Sequence, residues 1–133
     1  IDSVDTFKIA NKINNASQKI SQKTECLIEI NTSGETQKNG FLPIISKELI
    51  SCFSLQNLEI VGLMTVGPNT SDKKKIINAF STLRDLKDEI NKELEVSILK
   101  ELSMGMTNDF ELGVEEGSTM VRVGTGLFGS RNY

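Results

Sequence analysis

The sequence has no histidine and no tryptophan, one tyrosine at its last position, and only two prolines and two cysteines in 133 residues. Without histidine, His-ligated metals and His-based nucleophile triads are excluded. Cys26 and Cys52 stand far apart, without metal-ligand spacing and each in an apolar stretch, so buried free thiols are expected rather than a disulfide or a metal site. No hydrophobic run approaches the ~18 residues of a membrane-spanning helix, and no basic stretch followed by an apolar one marks a secretory leader. A cytoplasmic location is therefore expected. A basic stripe is lacking as well: the net charge is −3, and Lys73-Lys74-Lys75 opens an expected helix, where a solvated end is a better reading than a nucleic-acid contact. What remains, 38% hydrophobic and 25% charged residues, suits one soluble globular unit over residues 1–133.

Short apolar runs alternate with stretches of helical period. "IDSV" is expected as a strand, and Thr6 to Ile20 as a helix with Ile9, Ile13, Ala16 and Ile20 on one face. "ECLIEIN" is a strand, Thr32 to Gly40 a polar loop, and Pro43 suits the first turn of a helix that turns Ile45, Leu49, Cys52 and Phe53 inward. "LEIVGLMTV" is a buried strand stopped by Gly67-Pro68. Ser71 or Asp72 then caps a long helix carrying Ile76, Phe80, Leu83, Leu86 or Lys87, Ile90 and Leu94. "LSMGM" runs into a Thr107-Asn108-Asp109 cap and a short helix, and "STMVRV" is the last strand.

Strand and helix in alternation, without hairpin signals, predict a parallel sheet, and such sheets bind ligands beyond the carboxyl ends of their strands. The informative segments are then Asn31 to Lys38, Met64 and Thr65, Ser103 to Thr107, and Arg122 to Thr125. They are rich in glycine and small hydroxyls, the chemistry of a phosphate cup. Gly124 and Gly126 with Thr107 and Thr125 could hold a phosphate without a lysine, aided by a helix starting near Asn108. The spacing Gly124, Gly126, Gly129 is that of a dinucleotide-binding turn, but too little chain follows for the second strand and acidic residue such a turn needs. Taken singly, a glycine after a strand is more often a turn or a packing site, and the methionines of "SMGM" could fill core space. Arg122, inside an otherwise apolar strand, either pairs with a core carboxylate or reaches a ligand.

Together "SVDT", "IEINTSGETQKNG", "LEIVGLMTV" and "LSMGMTNDFELGVEEGSTMVRVGTGLFGSRNY" resemble the pyridoxal phosphate homeostasis proteins, whose fold is similar to the N-terminal barrel of alanine racemase. The match runs over essentially the whole chain, in order. It implies an α/β fold of (β/α)8 TIM-barrel type that binds pyridoxal 5′-phosphate (PLP), balances vitamin B6 pools and has no turnover of its own. It implies PLP-dependent client enzymes as partners, and neither nucleic acid nor membrane. By this resemblance Thr107, Gly124 and Thr125 form the cup for the cofactor phosphate, Arg122 approaches the pyridine nitrogen, and Ser103, Met104 and Met106 line the ring side. An arginine there keeps the nitrogen unprotonated and the ring a weak electron sink, which suits a carrier.

Two departures stand out. Thr107 replaces a usual serine and keeps the hydroxyl. The Schiff-base lysine of the resemblance belongs to the first strand, whereas "IDSVDT" matches the fourth, so that lysine is absent here and none of the lysines present takes its place. The chain, which opens at Ile1, is expected to be a C-terminal fragment of about strands four to eight, an incomplete barrel with unpaired "IDSV" and "STMVRV" edges and a tendency to self-associate. Two other readings stay open. One is the barrel domain of a PLP-dependent amino-acid racemase or decarboxylase, for which the only tyrosine on offer as a base is Tyr133. The other is an open doubly wound sheet binding a flavin or nucleotide.

Overall fold

The structure is a computed structural model that describes residues 1–132. Tyr133, on which the tyrosine-base expectation falls, lies outside the described residues. Helix and strand alternate along the chain: α1 (Phe7–Lys19), β1 (Thr24–Glu29), α2 (Lys47–Cys52), β2 (Leu58–Met64), α3 (Lys73–Glu93), β3 (Glu101–Met106), α4 (Phe110–Glu115), β4 (Met120–Arg122) and α5 (Thr125–Phe128). The four strands pair in the order β1-β2-β3-β4, every pair parallel. Helical crossovers make parallel pairing possible, since they carry the chain back to the starting end of the sheet.

The opening segment is less regular than a full strand. Val4 forms a single parallel bridge to Ile28, and its N–H donates to the Leu27 carbonyl (3.2 Å) while Glu29 N–H donates to the Val4 carbonyl (2.9 Å). It lies beside β1 as an edge, so the expected order of segments holds, although among the described residues the sheet has four strands rather than five.

Packing on one face of the sheet makes the core. Cys26 and Ile28 of β1, Leu58, Ile60 and Leu63 of β2, and Leu102 and Met104 of β3 meet Leu49, Phe80, Leu83 and Ile90 of the helices. The spacing of two along β2 becomes three between Ile60 and Leu63, because Cys26 pairs with Ile60 and Leu27 with Gly62, leaving Val61 as an extra residue. That is a bulge, rare between parallel strands, and it changes which face the later residues take. The opposite face, with Glu25, Glu59, Val61 and Glu101, borders a cavity of about 860 Å3 at the amino ends of the strands.

Two helical expectations need correction. In α1 the inward residues are Ala10 and Ser17, while Ile9, Ala16 and Ile20 are exposed. Counting only apolar residues puts the face one position off, because Ser17 is held inside by a hydroxyl pair with Thr24 (2.6 Å). Pro43 precedes α2 rather than opening it. Ser46 is the cap, accepting from Leu49 N–H (3.1 Å), so Ile45 stays outside the helix. In α3 the cap is Asp72, which accepts from Lys74 N–H (3.0 Å). Among the described residues no helix is long and apolar enough to cross a membrane.

Both cysteines are free and buried. Burial pushes the Cys26 thiol up to about 11 and that of Cys52 up to about 12. Both should therefore resist iodoacetamide at pH 8 in the folded protein and react only after unfolding; labelling of either by mass spectrometry before the unfolding transition would contradict this. The sign for stability follows: the folded state keeps protons that the unfolded thiols lose, so stability falls as pH rises above about 9.

Candidate functional site

The carboxyl ends of β2, β3 and β4 come together at one rim. β2 delivers Thr65, β3 delivers Met106 and Thr107, and β4 delivers Arg122 and Gly124. Bringing Ser103 and Arg122 to the same side of the sheet, the structure answers the question of Arg122's partner. Its Nη1 donates to Ser103 Oγ and its Nη2 to the Thr65 carbonyl (2.7 Å). Among the described residues no carboxylate is within ion-pair distance of it. Burial pulls its affinity for the proton down, with the charges of Asp109, Asp2 and Glu29 pulling the other way. A guanidinium has five N–H donors and keeps its charge in proteins, so a positive group is fixed at the rim with donors to spare.

The anchors of Arg122 are themselves rigid. Ser103 and Thr65 are fully buried. Thr65 Oγ1 donates to the Ile30 carbonyl (2.7 Å) and pairs with Thr32 Oγ1 (2.9 Å), tying β2 to the end of β1. The chain from Thr32 through Thr65 to Arg122 thus crosses the width of the sheet.

Thr107, Gly124 and Thr125 meet as expected. Thr107 Oγ1 accepts from Gly126 N–H (3.0 Å), the first turn of α5. A Cβ at Gly126 would lie 2.7 Å from Thr107 Cγ2, so this contact depends on glycine. At Gly124 a Cβ would meet nothing within 4 Å, so the backbone there borders open space. The three residues line one cavity of about 740 Å3 together with Lys38, Gly67, Met106, Asp109 and Phe128. The short helix α5 has no counterpart among the expected elements, since a run with three glycines carries little helical signal.

Gly105, inside β3, has φ +104°, a conformation other residues rarely adopt, and a Cβ there would meet Phe110 Cα at 2.8 Å. The strand bends at this point, and α4 packs directly against it. Met106 therefore turns outward to the rim, 44% exposed. Met104 does not. It is wholly buried in the core beneath the helices, on the opposite face of β3 from Ser103, because side chains alternate along a strand. Met104, expected on the ring side, thus lies among the core residues and outside the cavity lined by Thr107, Gly124 and Thr125.

Asp109 is expected in the cap of α4. It is the cap residue, yet its side chain makes no capping hydrogen bond; Oδ1 instead accepts from Met106 N–H at 2.6 Å. A second clamp escapes sequence reasoning altogether. Lys38 Nζ donates to the Gly67 carbonyl and pairs with Glu35 (3.1 Å), and Glu35 accepts from Asn69 N–H (3.3 Å). The hydrogen bond from Lys38 is the main cause that holds the Glu35 carboxyl below its ordinary range. Asn31 Nδ2 donates to the carbonyls of Glu35 (2.9 Å) and Lys38 (3.4 Å), closing the loop on itself. The loops after β1 and β2 are thereby fastened together along one wall of the cavity. The only signal for this in the sequence is a polar loop with an acid and a base three residues apart.

Residues 2–132 match the family described as alanine racemase, N-terminal domain. The chain is 41% identical to the pyridoxal phosphate homeostasis protein of Aquifex aeolicus over 134 residues, covering all of this chain and 58% of that protein. It is 38% identical to the human protein of the same name, covering all of this chain and 50% of that one. It therefore spans about half the length of these curated relatives. Among solved structures, PipY of Synechococcus elongatus without PLP superposes with a TM-score of 0.88 at 31% identity, covering 97% of this chain and 60% of PipY. PipY with PLP bound superposes with a TM-score of 0.85 at 30% identity over the same shares of the two chains. With its parallel sheet, its helical crossovers and this match over nearly every residue, the chain belongs to the alanine racemase N-terminal domain family, an α/β fold of TIM-barrel type.

Proposed function

We propose that this rim holds the phosphate and pyridine nitrogen of pyridoxal 5′-phosphate, in a cytoplasmic protein of vitamin B6 homeostasis that hands the cofactor to PLP-dependent client enzymes and has no turnover of its own. The observation that carries the reading is that Thr107, Gly124 and Thr125 line one cavity at the carboxyl ends of the strands, while Arg122, two residues before Gly124, is held there by Ser103 and the Thr65 carbonyl with no carboxylate in ion-pair distance among the described residues. The donor set suits the group. A phosphate dianion needs N–H and O–H donors around an open space, and the open backbone at Gly124 beside the Thr107 hydroxyl offers that. In this reading Arg122 donates to the ring nitrogen, Ser103 and Thr65 hold Arg122 in place, and Met106 covers the ring. The cofactor when bound supplies an electrophilic aldehyde; the residues of this chain supply binding and orientation. In this reading the Val4 edge segment and the four strands β1 to β4 correspond to strands four to eight of the barrel, residues 1–133 being one partial domain. The relatives named for pyridoxal phosphate homeostasis, and PipY with PLP bound, support it.

The test is equilibrium dialysis of the chain against PLP, read by the absorbance of the cofactor. Uptake is expected, together with a roughly tenfold weaker affinity in Gly124→Leu, whose Cβ meets no protein atom within 4 Å and whose larger side chain competes with the ligand for the open space. Absence of uptake, or unchanged affinity in a folded Gly124→Leu protein, would overturn the assignment.

A further inference from the structure

Arg122 reaches the Thr65 carbonyl, and the direction of that carbonyl is set from outside the strand that carries it. Every polar group of Thr65 is engaged. Its N–H donates to the Ser103 carbonyl (3.1 Å), its own carbonyl accepts from Arg122 Nη2 (2.7 Å), and its hydroxyl donates to the Ile30 carbonyl (2.7 Å). A threonine hydroxyl has one proton to give, and here the Ile30 carbonyl takes it. In the contact of Thr32 Oγ1 with Thr65 Oγ1 (2.9 Å), Thr32 is therefore the donor. Thr65 is fully buried, whereas Thr32 stands half-buried in the loop after β1.

That loop grips the chain after β2 at two points. Thr32 holds the Thr65 hydroxyl, and Lys38 Nζ donates to the Gly67 carbonyl. The peptide joining Thr65 to Val66 lies between the two grips, and its carbonyl is the one that Arg122 uses. A planar guanidinium held by one bond can pivot about it. A second acceptor fixes its plane, and with it the direction of the donors left over. One acceptor here, Ser103 Oγ, hangs on a rotatable bond; the other belongs to backbone fastened on either side. We propose that Thr32 is a positioning residue, which through Thr65 fixes the plane in which Arg122 presents its remaining donors to the pyridine nitrogen. The inference rests on the reading of Arg122 as the partner of that nitrogen and adds the residue that aims it.

The decisive substitution is Thr32→Val, which keeps the outline of the side chain and removes the donated proton, while the Thr65 hydroxyl keeps its bond to Ile30. PLP affinity in equilibrium dialysis is expected to fall about fivefold. Thr32→Ser, which restores the hydroxyl, is expected to stay within about twofold of the unaltered chain. The deaza analogue of PLP, in which a C–H replaces the ring nitrogen, is expected to bind the unaltered and Thr32→Val chains equally, because Arg122 then has no nitrogen to meet. In the chain without ligand, the NMR order parameter of the Arg122 Nε–H is expected to drop in Thr32→Val and to hold in Thr32→Ser. Unchanged PLP affinity in folded Thr32→Val, or in Thr32→Ala where Thr32→Val does not fold, would overturn the proposal. An equal loss for the deaza analogue would overturn it too, since the loop would then shape the cavity rather than aim Arg122. So would a Thr32→Ser chain as weak as Thr32→Val. If the unaltered chain takes up no PLP while Arg122 still loosens in Thr32→Val, the cofactor reading falls and the aiming of Arg122 stands; an unchanged Arg122 signal overturns the aiming whatever binds.

Discussion

Replacing Gly62 with alanine is expected to cost about 3 kcal/mol or more and to lower the melting temperature by about 10 °C. A Cβ at this position would fall 2.0 Å from the Glu101 carbonyl oxygen, 2.6 Å from its carbon and 2.7 Å from the Glu101 Cβ. These are atoms of the adjacent strand, and Gly62 is paired in register with Glu101. A flexible side chain could swing away from such a contact, but a paired backbone cannot without parting β2 from β3. The loss would be concentrated where the sheet carries Arg122's anchors, Thr65 and Ser103, only a few residues further along the same two strands. Thermal unfolding followed by circular dichroism checks it. Gly124→Ala is the matched control, because its added methyl meets nothing within 4 Å. A fall of less than about 3 °C in Gly62→Ala would show that the two strands separate more easily than their pairing implies.

The second large effect is expected at Phe80. Its ring is fully buried in the core, packed among Leu83 and Ile76 of its own helix and the strands beneath. Truncation to alanine should destabilise the protein by about 4 kcal/mol, as lost transfer energy and an unfilled cavity combine. Phe80 also reaches the rim. Two of its ring carbons lie 3.3 Å from where a Cβ on Gly67 would be, so the ring forms the floor beneath the loop that Lys38 and Glu35 fasten from above. Removing it should loosen that loop, and PLP affinity should fall along with stability under conditions where the variant is still folded. Urea titration gives the first quantity and dialysis the second. A Phe80→Ala protein within about 1.5 kcal/mol of the parent would mean that the core collapses onto the gap. Equal PLP affinity in the folded variant would mean that the loop does not need its floor.

The architecture is legible in the sequence because it depends on signals spread over many residues. The long helix α3 announces itself by Ile76, Phe80, Leu83, Leu86 and Ile90 at spacings of three and four, and all five are buried. The post-strand segments also come together as expected, because a parallel sheet sends every strand's carboxyl end to the same rim. What cannot be read are the places where a single polar contact decides. Ser17 turns the face of α1 by making one hydroxyl pair. Asp109, in the right place for a cap, gives its oxygen to Met106 instead. Ser118 likewise makes contacts with no sequence signal, its hydroxyl donating to the Met104 carbonyl (2.7 Å) and lying 2.8 Å from that of Met120 just as β4 begins to pair with β3. None of these has a periodic signature. Met104 shows the converse: a resemblance places it with the ligand, while plain alternation along β3, counted from Ser103, places it in the core.

The extra residue at Val61 gives β2 two phases. Before it, even-numbered side chains, Leu58 and Ile60, face the helices; after it, the odd-numbered Leu63 does. The strand therefore has two reading frames joined by a splice. Deleting Val61 would leave Ile60 and Leu63 both facing the helices, but pairing Val61 into a regular ladder would merge the frames and send the rim half of the strand round to the wrong side. Leu63 would leave the core, and Thr65, whose carbonyl receives Arg122 and whose hydroxyl reaches Ile30, would turn its back on both. The site at the top of the sheet is thus written in a frame that begins only halfway up one strand.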